Sequence, residues 1–300
     1  MLMLSSIVPK RNFLLSLVAI ATVSTVALPA SGQALLPYVP QLDAEQLEEK
    51  GVQLYQEAVQ LLRFQQYDLA FSKAKLATQL APNHPQAWFI LGSLYVEKKE
   101  LDQGIQLLQK ANSLDPNEAG IWFTLGSAYF QKEEYSTAIS VIESGLALEP
   151  DSPAALFDLG NAHLMLTQYP KAIAAYEKAF SLEEEFWPAI NNIGLIQYEQ
   201  GDVSGAIENW QKSLDIDSEA AEPKLAVAVA MYTQGKRQEG LSLAEAALST
   251  DSRYADLDFL KENLWGDRLL ADTERFLSIP QMQAFLASLG DRSLEVEIAP

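Results

Sequence analysis

The chain contains no cysteine, only two histidines, and 21 Lys plus Arg against 40 Asp plus Glu. Without cysteine it can form no disulfide, no zinc–thiolate site and no thiol nucleophile. Its net charge of −19 repels nucleic-acid phosphates and anionic lipid headgroups, so we expect no binding to nucleic acid or to membrane surfaces. Runs of acidic residues usually form solvated helix faces and turns, and we interpret them in that way first.

The residues needed for catalysis are also scarce. His84 falls in a turn between sequence repeats, and His163 occupies a position that otherwise holds packing aromatic residues, so both are interpreted as structural. The chain has no nucleophile elbow, no phosphate-binding glycine loop and no histidine metal motif. We therefore expect neither an enzyme nor a bound cofactor.

One acidic cluster is the best candidate for a hard cation such as calcium or manganese, which takes oxygen ligands. It lacks the central glycine of a calcium-binding loop, and we favour a solvated acidic turn over a metal site. The cluster consists of Asp215, Asp217, Glu219 and Glu222.

One pattern recurs every 34 residues, six times, without insertion or deletion. Glycine inside a helix costs about 1 kcal/mol relative to alanine, so a glycine repeated at one mid-helix position predicts close approach of a neighbouring helix. Prolines end the first three units and indicate helix termination, so each unit is predicted to form two antiparallel helices. The predicted units are 51–84, 85–118, 119–152, 153–186, 187–220 and 221–254. The small residues of the mid-helix column are Ala58, Gly92, Gly126, Gly160, Gly194 and Ala228.

This pattern resembles the tetratricopeptide repeat family, which has the same period and the same order of Trp, Leu-Gly, Tyr, Ala and Pro. The unit 85–118 carries these residues as Trp88, Leu91-Gly92, Tyr95, Ala111 and Pro116. The resemblance implies an all-α fold, a right-handed superhelix (α-solenoid) of six helix-turn-helix repeats with a C-terminal helical extension. The last three units depart from the pattern, since Glu184, Ser218 and Ser252 replace the terminal proline.

The N-terminal residues have the pattern of an export signal. Lys10 and Arg11 precede an uncharged apolar run of sixteen residues, Phe13 to Leu28, and small residues suited to cleavage follow it. Residues 1–34 are thus predicted to be a signal peptide, with an uncleaved membrane anchor as the alternative, although a span needs about 20 residues. Residues 35–50 are predicted to be a linker leading into an N-terminal helix.

Residues 255–300 are predicted to form capping helices and a tail. Apolar residues at helical spacing predict helices over Leu257–Trp265, Asp267–Leu277 and Pro280–Leu289, the last ending before Gly290. The string from Leu260 to Asp272 resembles the ending of a group of cyanobacterial repeat proteins and related chloroplast lumen proteins. That resemblance implies that the protein is located in a periplasm or a thylakoid lumen.

The family resemblance implies that the first helix of each unit lines a concave groove. The groove positions carry aromatic and aliphatic residues with serine and asparagine between them, and only Arg63 is basic. A cationic clamp for a terminal carboxylate is therefore absent, and an apolar extended or helical segment fits better. The candidate groove residues are Tyr55, Phe89, Ser93, Phe123, Ser127, Phe130, Phe157, Asn161, Asn191, Asn192, Tyr198 and Tyr232.

The sequence therefore predicts an exported scaffold that binds a protein or peptide partner, with assembly or maintenance of membrane complexes as the role its address suggests. Contact with a membrane is expected only through an uncleaved N-terminal segment. Several alternatives stay open. The aromatic groove residues can pack within the solenoid, and the groove can be filled by the chain's own Pro280–Leu289 helix or by another copy. The protein can also be a metal-handling or a self-associating structural protein.

Overall fold

A computed structural model describes the backbone of residues 43–298 and the side chains as far as Leu289. The predicted signal peptide and most of the predicted linker lie outside these residues. The described part is built from α-helices and one short 3₁₀ turn, with no strand among residues 43–298. No helix in this range combines the length and the apolar character that crossing a bilayer requires.

Twelve helices form six consecutive antiparallel pairs. Each second helix packs on its own first helix and on the first helix of the next pair, which confirms the predicted all-α solenoid. The pairs are α1 (Ala44–Arg63) with α2 (Tyr67–Leu80), α3 (Pro85–Glu97) with α4 (Leu101–Leu114), α5 (Ala119–Gln131) with α6 (Tyr135–Leu148), α7 (Pro153–Met165) with α8 (Tyr169–Leu182), α9 (Trp187–Glu199) with α10 (Val203–Ile216), and α11 (Ala221–Thr233) with α12 (Arg237–Thr250).

The turn inside each pair has one residue in the left-handed conformation, again every 34 residues. In the last two units this residue is glycine, which adopts positive φ without steric cost. In the first four units a side chain occupies the same strained position, and Thr167 is β-branched. The six residues, with φ between 54° and 89°, are Gln65, Lys99, Glu133, Thr167, Gly201 and Gly235.

The mid-helix glycines mark the closest approach within four pairs. A Cβ added to Gly194 would lie 2.5 Å from Trp210 Nε1, and one added to Gly92 would lie 2.8 Å from Leu108 Cγ. The facing residue always comes sixteen positions later, on the second helix of the same unit. The prediction of close helix approach is thus confirmed. The four pairs are Gly92 with Leu108, Gly126 with Ile142, Gly160 with Tyr176, and Gly194 with Trp210.

In the first and sixth units both of these positions hold buried alanines, Ala58 with Ala74 and Ala228 with Ala244. Where the first helix keeps a Cβ, the second therefore carries a small residue, and where the first helix has glycine, the second carries a large one. This exchange of volume keeps the interior filled, as close packing requires.

After the repeats the chain forms a 3₁₀ turn (Ser252–Ala255), α13 (Leu257–Glu262), α14 (Asp267–Leu277) and α15 (Pro280–Ile298). The prediction that the last helix ends before Gly290 is wrong. A single glycine weakens a helix by about 1 kcal/mol but keeps its amide proton, so it does not end the helix as proline does. Helix α14 packs against α9 and α11, the first helices of the fifth and sixth units, whereas α15 contacts α12 and α14.

Candidate functional site: a partly filled concave groove

The groove formed by the first helices is divided into two parts by the chain's own C-terminal extension. Helices α9 and α11 are covered by α14. The turn between α13 and α14, at Leu264, lies beside residues of α5 and α7. Filling of the groove by the Pro280–Leu289 helix is one of the alternatives left open by the sequence, but the helix that packs on α9 and α11 is the preceding one, α14.

Specific polar contacts hold the N-terminus of α14 against α9. The Glu199 carboxylate accepts hydrogen bonds from the backbone amides of Arg268 and Leu269, at 3.1 and 3.0 Å. These are free amides of the first helical turn, where a negative charge is also favoured by the helix dipole. Gly266 makes the contact possible, because a Cβ there would clash with the Glu199 carboxyl group.

Apolar and aromatic contacts continue along the same helix. The hydroxyl of Tyr198 donates to Asp272 Oδ2 at 2.7 Å, and the rings of Tyr232 and Phe276 lie 4.9 Å apart. Phe276 is 1% exposed. An amphipathic helix is therefore bound in this half of the groove through its apolar face and hydrogen bonds at its edge.

A buried carboxyl group anchors the segment before α14. Trp265 Nε1 donates to Glu222 Oε1 at 3.0 Å, and both side chains are buried. Burial raises the pKa of Glu222 to about 7, although hydrogen bonds from Trp265, Asn191 and Tyr254 oppose the rise. The native protein thus holds a proton on Glu222 at pH values where an exposed glutamate has lost it.

Because Glu222 is buried and bonded to Trp265, it does not act together with Asp215, Asp217 and Glu219, the other members of the acidic cluster that the sequence offers as a cation site. The Asp217 carboxylate instead accepts from the backbone amide of Glu219 at 3.0 Å, as in an ordinary turn. Within residues 43–289, no group of three or more His, Asp or Glu side chains is placed to hold a metal ion.

Four of the sequence-predicted groove residues lie in the filled half. Tyr198 and Tyr232 contact α14, and Asn191 and Asn192 are buried in the groove floor. Tyr198 and Tyr232 are thus taken up by the chain's own extension, whereas the Asn192 amide is engaged by Asn161 and Tyr176 within the repeats. One signal in the sequence marks this: α11 is apolar on nearly all sides, and every residue from Ala221 to Ala230 is buried, as in a helix covered on both faces.

The remaining eight predicted residues line the other half, on the first helices of units one to four. Each is partly exposed. Their side chains form a stripe of aromatic groups flanked by hydroxyls and one amide. They are Tyr55, Phe89, Ser93, Phe123, Ser127, Phe130, Phe157 and Asn161.

These aromatic rings also take part in the packing of the solenoid. Phe157 lies 5.6 Å from the ring of Tyr176 and 5.2 Å from that of Phe186. Phe130 lies 5.3 Å from Tyr135. These two rings thus rest on neighbouring rings and remain partly accessible, so this part of the stripe is supported from behind, as an anchor surface must be.

Asn161 is held in one orientation by a buried polar network. Its Oδ1 accepts from the Tyr176 hydroxyl at 2.7 Å and from Asn192 Nδ2 at 3.0 Å. With the oxygen engaged in this way, the amide nitrogen remains to donate to a ligand carbonyl. By contrast, the hydroxyl of Ser93 donates to the carbonyl of Phe89, within its own helix.

One carboxyl group, that of Asp158, lies next to this network. Burial raises the pKa of Asp158 to about 6. The two histidines are placed in structural surroundings. The His84 ring lies 4.9 Å from that of Tyr55, and buried His163 makes a hydrogen bond of 2.9 Å to Gln168.

Comparisons with known proteins agree with this architecture. Residues 85–118 and residues 123–188 match two family models, both described as tetratricopeptide repeat. No curated protein matches the chain.

Several solved structures share the fold. One is PilF of Pseudomonas aeruginosa, 14% identical, covering 73% of this chain and 99% of that one at a TM-score of 0.60. Another is MamA from Desulfovibrio magneticus, 21% identical over 57% of this chain and 96% of that one, at 0.53. YrrB, described as having an unusual peptide-binding site, is 17% identical over 60% of this chain and 92% of that one, at 0.51. At these identities the similarity concerns the fold alone.

Proposed function

The chain belongs to the tetratricopeptide repeat family, a family of protein-interaction scaffolds, and we propose that it binds an apolar segment of a partner protein in the open half of its groove. The site consists of the partly exposed aromatic stripe on α1, α3, α5 and α7. A solenoid of this type offers a continuous concave surface, to which an extended or helical segment can bind along several repeats.

The filled half of the groove is the observation that carries this proposal. There the protein binds a helix of its own through Phe276 on Tyr232 and through hydrogen bonds from Tyr198 and to Glu199. Since units one to four repeat the same framework, a partner segment can be bound by the same kinds of contact.

The chemistry of the open half defines the partner segment. Phe89, Phe123 and Phe157 supply apolar contact area, so alternate or helically spaced apolar side chains fit them. Asn161 can donate to a backbone carbonyl and fix the register of the segment. In the groove an acidic or C-terminal carboxylate would find few cations, and it would be repelled by a chain of net charge −19.

We further propose that the protein acts outside the cytoplasm, in a periplasm or thylakoid lumen. The basic residues Lys10 and Arg11, followed by the apolar run of residues 13–28, support export. A scaffold in such a compartment can bind proteins of the neighbouring membrane, and we propose a role in the assembly or maintenance of membrane complexes. Detection of the mature N-terminus in the exported fraction would test this part of the proposal by itself.

A peptide-display selection against the purified protein, followed by fluorescence polarisation with a selected peptide, tests the groove. Phe123→Ala should weaken binding about tenfold, the effect of truncating a central aromatic anchor. The matched control is Phe64→Ala, because Phe64 is 74% exposed, caps the end of α1 and is not one of the candidate groove residues. Equal affinities of the two variants would place the site elsewhere on the solenoid.

A further inference from the structure

The two halves of the groove meet at a cavity of about 360 Å³, bounded by repeat units and by the C-terminal extension. Its repeat side is formed by Phe130, Phe157 and Trp187, and its extension side by Tyr254, Glu262 and Leu264. The volume lies within the range of ordinary small-ligand sites. It is large enough for the end of one long side chain.

The lining combines aromatic rings with carboxyl groups. Four of the bordering residues are aromatic, and two, Glu222 and Glu262, carry carboxyl groups. No Lys or Arg borders this cavity among the described residues. Two basic residues, Lys99 and Lys261, border the adjacent cavity, where Lys99 Nζ donates to Gln131 Oε1 at 2.9 Å, and Arg253 precedes the lining residue Tyr254.

Aromatic faces and carboxylates attract the same type of ligand. A ring face has negative potential at its centre, so an ammonium or guanidinium group placed over it is stabilised by roughly 0.5–2 kcal/mol. A carboxylate at the rim adds a charge-assisted hydrogen bond. A neutral or anionic group would gain neither contribution.

The backbone at this point supports a built site. Leu264, which borders both cavities, has a left-handed conformation with φ of 66°. Such a conformation is costly for leucine, and here it turns the chain between α13 and α14 beside the stripe. Glu222, fixed by Trp265, lies at the back of the cavity, and Glu262 is exposed at its edge.

We propose that this cavity binds an organic cation, namely the ammonium or guanidinium end of a Lys or Arg side chain. This inference rests on the proposed function, since the basic residue would belong to the segment bound along the stripe. The partner segment is then apolar with one basic residue, and the cavity sets its register at unit four. A free amine has the same chemistry and would fill the same space.

The first test uses small probes and the full described chain. Binding of n-butylammonium and n-propylguanidinium is followed by NMR of the Trp187 indole, with n-butanol as the neutral counterpart. We expect the two cations to bind and n-butanol not to bind at the same concentrations. Equal binding of n-butanol and n-butylammonium would overturn the proposal.

Variants then test the carboxyl groups. Glu262→Gln should weaken n-butylammonium binding by about fivefold, the loss of one partly exposed ion pair over an aromatic site. Glu222→Gln should weaken it only above pH 7, where the Glu222 carboxyl group has lost its proton, while keeping an oxygen acceptor for Trp265. Glu274→Gln on exposed α14 surface is the matched control and should change nothing. An unchanged affinity for Glu262→Gln and Glu222→Gln would also overturn the proposal.

A pair of peptides shows whether the cation belongs to a peptide side chain or to a free amine. The same pair distinguishes failure of the cation pocket from failure of the groove function. The selected apolar peptide is compared with versions that carry one central lysine or one central norleucine. Tighter binding of the lysine version, lost in Glu262→Gln, supports a side-chain ligand. Equal binding that still depends on Phe123 would leave the groove function standing and reject the cation pocket. Binding of the amine but of no peptide would reject the groove function and leave the cavity as a small-amine site.

Discussion

Substituting Gly194 with alanine tests the packing rule that shapes the solenoid. The new Cβ would lie 2.5 Å from Trp210 Nε1, 2.8 Å from Cδ1 and 2.9 Å from Cε2 of the same indole. Trp210 is fully buried, and its Nε1 donates to the carbonyl of Asn191 at 3.1 Å, so the ring has little freedom to move. Overpacking of this kind costs about 3 kcal/mol, against about 1 kcal/mol gained from helix propensity. We expect Gly194→Ala to lower the free energy of unfolding by about 2 kcal/mol.

Urea unfolding followed by far-UV circular dichroism measures this change, and two further variants make the reason testable. Trp210→Ala reproduces the pairing of Ala58 with Ala74 and should relieve the clash, so the double variant should lose less stability than the sum of the two single variants, by about 2 kcal/mol. Gly120→Ala is the control, because a Cβ there meets only Glu118 Oε1 at 3.3 Å. Equal effects of Gly194→Ala and Gly120→Ala would refute the packing argument.

Three further predictions concern the turns and the extension. Burial raises the pKa of Glu222 from 4.5 to about 7, so between these pH values the native state binds a proton that the unfolded state has released. The free energy of unfolding should therefore fall by roughly 3 kcal/mol as the pH rises from 4.5 to 7. Urea titrations at several pH values measure this fall, and Glu222→Gln should remove the contribution of Glu222 to it. Thr167→Gly relieves a φ of 54° at a β-branched residue and should raise the free energy of unfolding by about 1 kcal/mol in the same assay, whereas an unchanged value would show that the turn is not strained. Trp265→Ala removes a side chain that is 3% exposed and should weaken the packing of the extension on the repeats by about 3–5 kcal/mol. Amide hydrogen exchange should then become faster in α14 but not in α3. An equal change of the exchange rates in α14 and α3 would contradict the docking described for the extension.

The repeat architecture could be predicted from sequence because it depends on local and neighbouring contacts. The 34-residue period, the proline stops and the glycine column all report on helices that contact each other within one unit or the next. The pairing of Gly160 with Tyr176 or Gly194 with Trp210 is visible at a fixed spacing once the antiparallel pair is assumed. Because the pattern recurs in six units, each of these features occurs several times along the chain, and this makes the predicted helix pairs secure.

The filling of the groove could not be predicted in the same way, because it depends on one contact across a long stretch of sequence. Glu199 and Leu269 meet only after the rest of unit five, the whole of unit six and the 3₁₀ turn have set the direction of the chain. The apolar helix α11 indicated that something covers it, but its sequence does not identify the covering segment. Eight of the twelve candidate groove residues, up to Asn161 in unit four, are partly exposed, whereas Asn191, Asn192 and Tyr198 are buried and Tyr232 packs against α14.

We expect a partner segment to bind along the first helices of units one to four while α14 stays bound to α9 and α11 of units five and six. Photo-crosslinking of a selected peptide that carries a benzophenone group, with the attachment sites mapped by mass spectrometry, tests this claim most directly. We expect attachment on α3, α5 and α7, near Phe89, Phe123 and Phe157. Attachment on the second helices, or on α9 and α11 with release of α14, would contradict it.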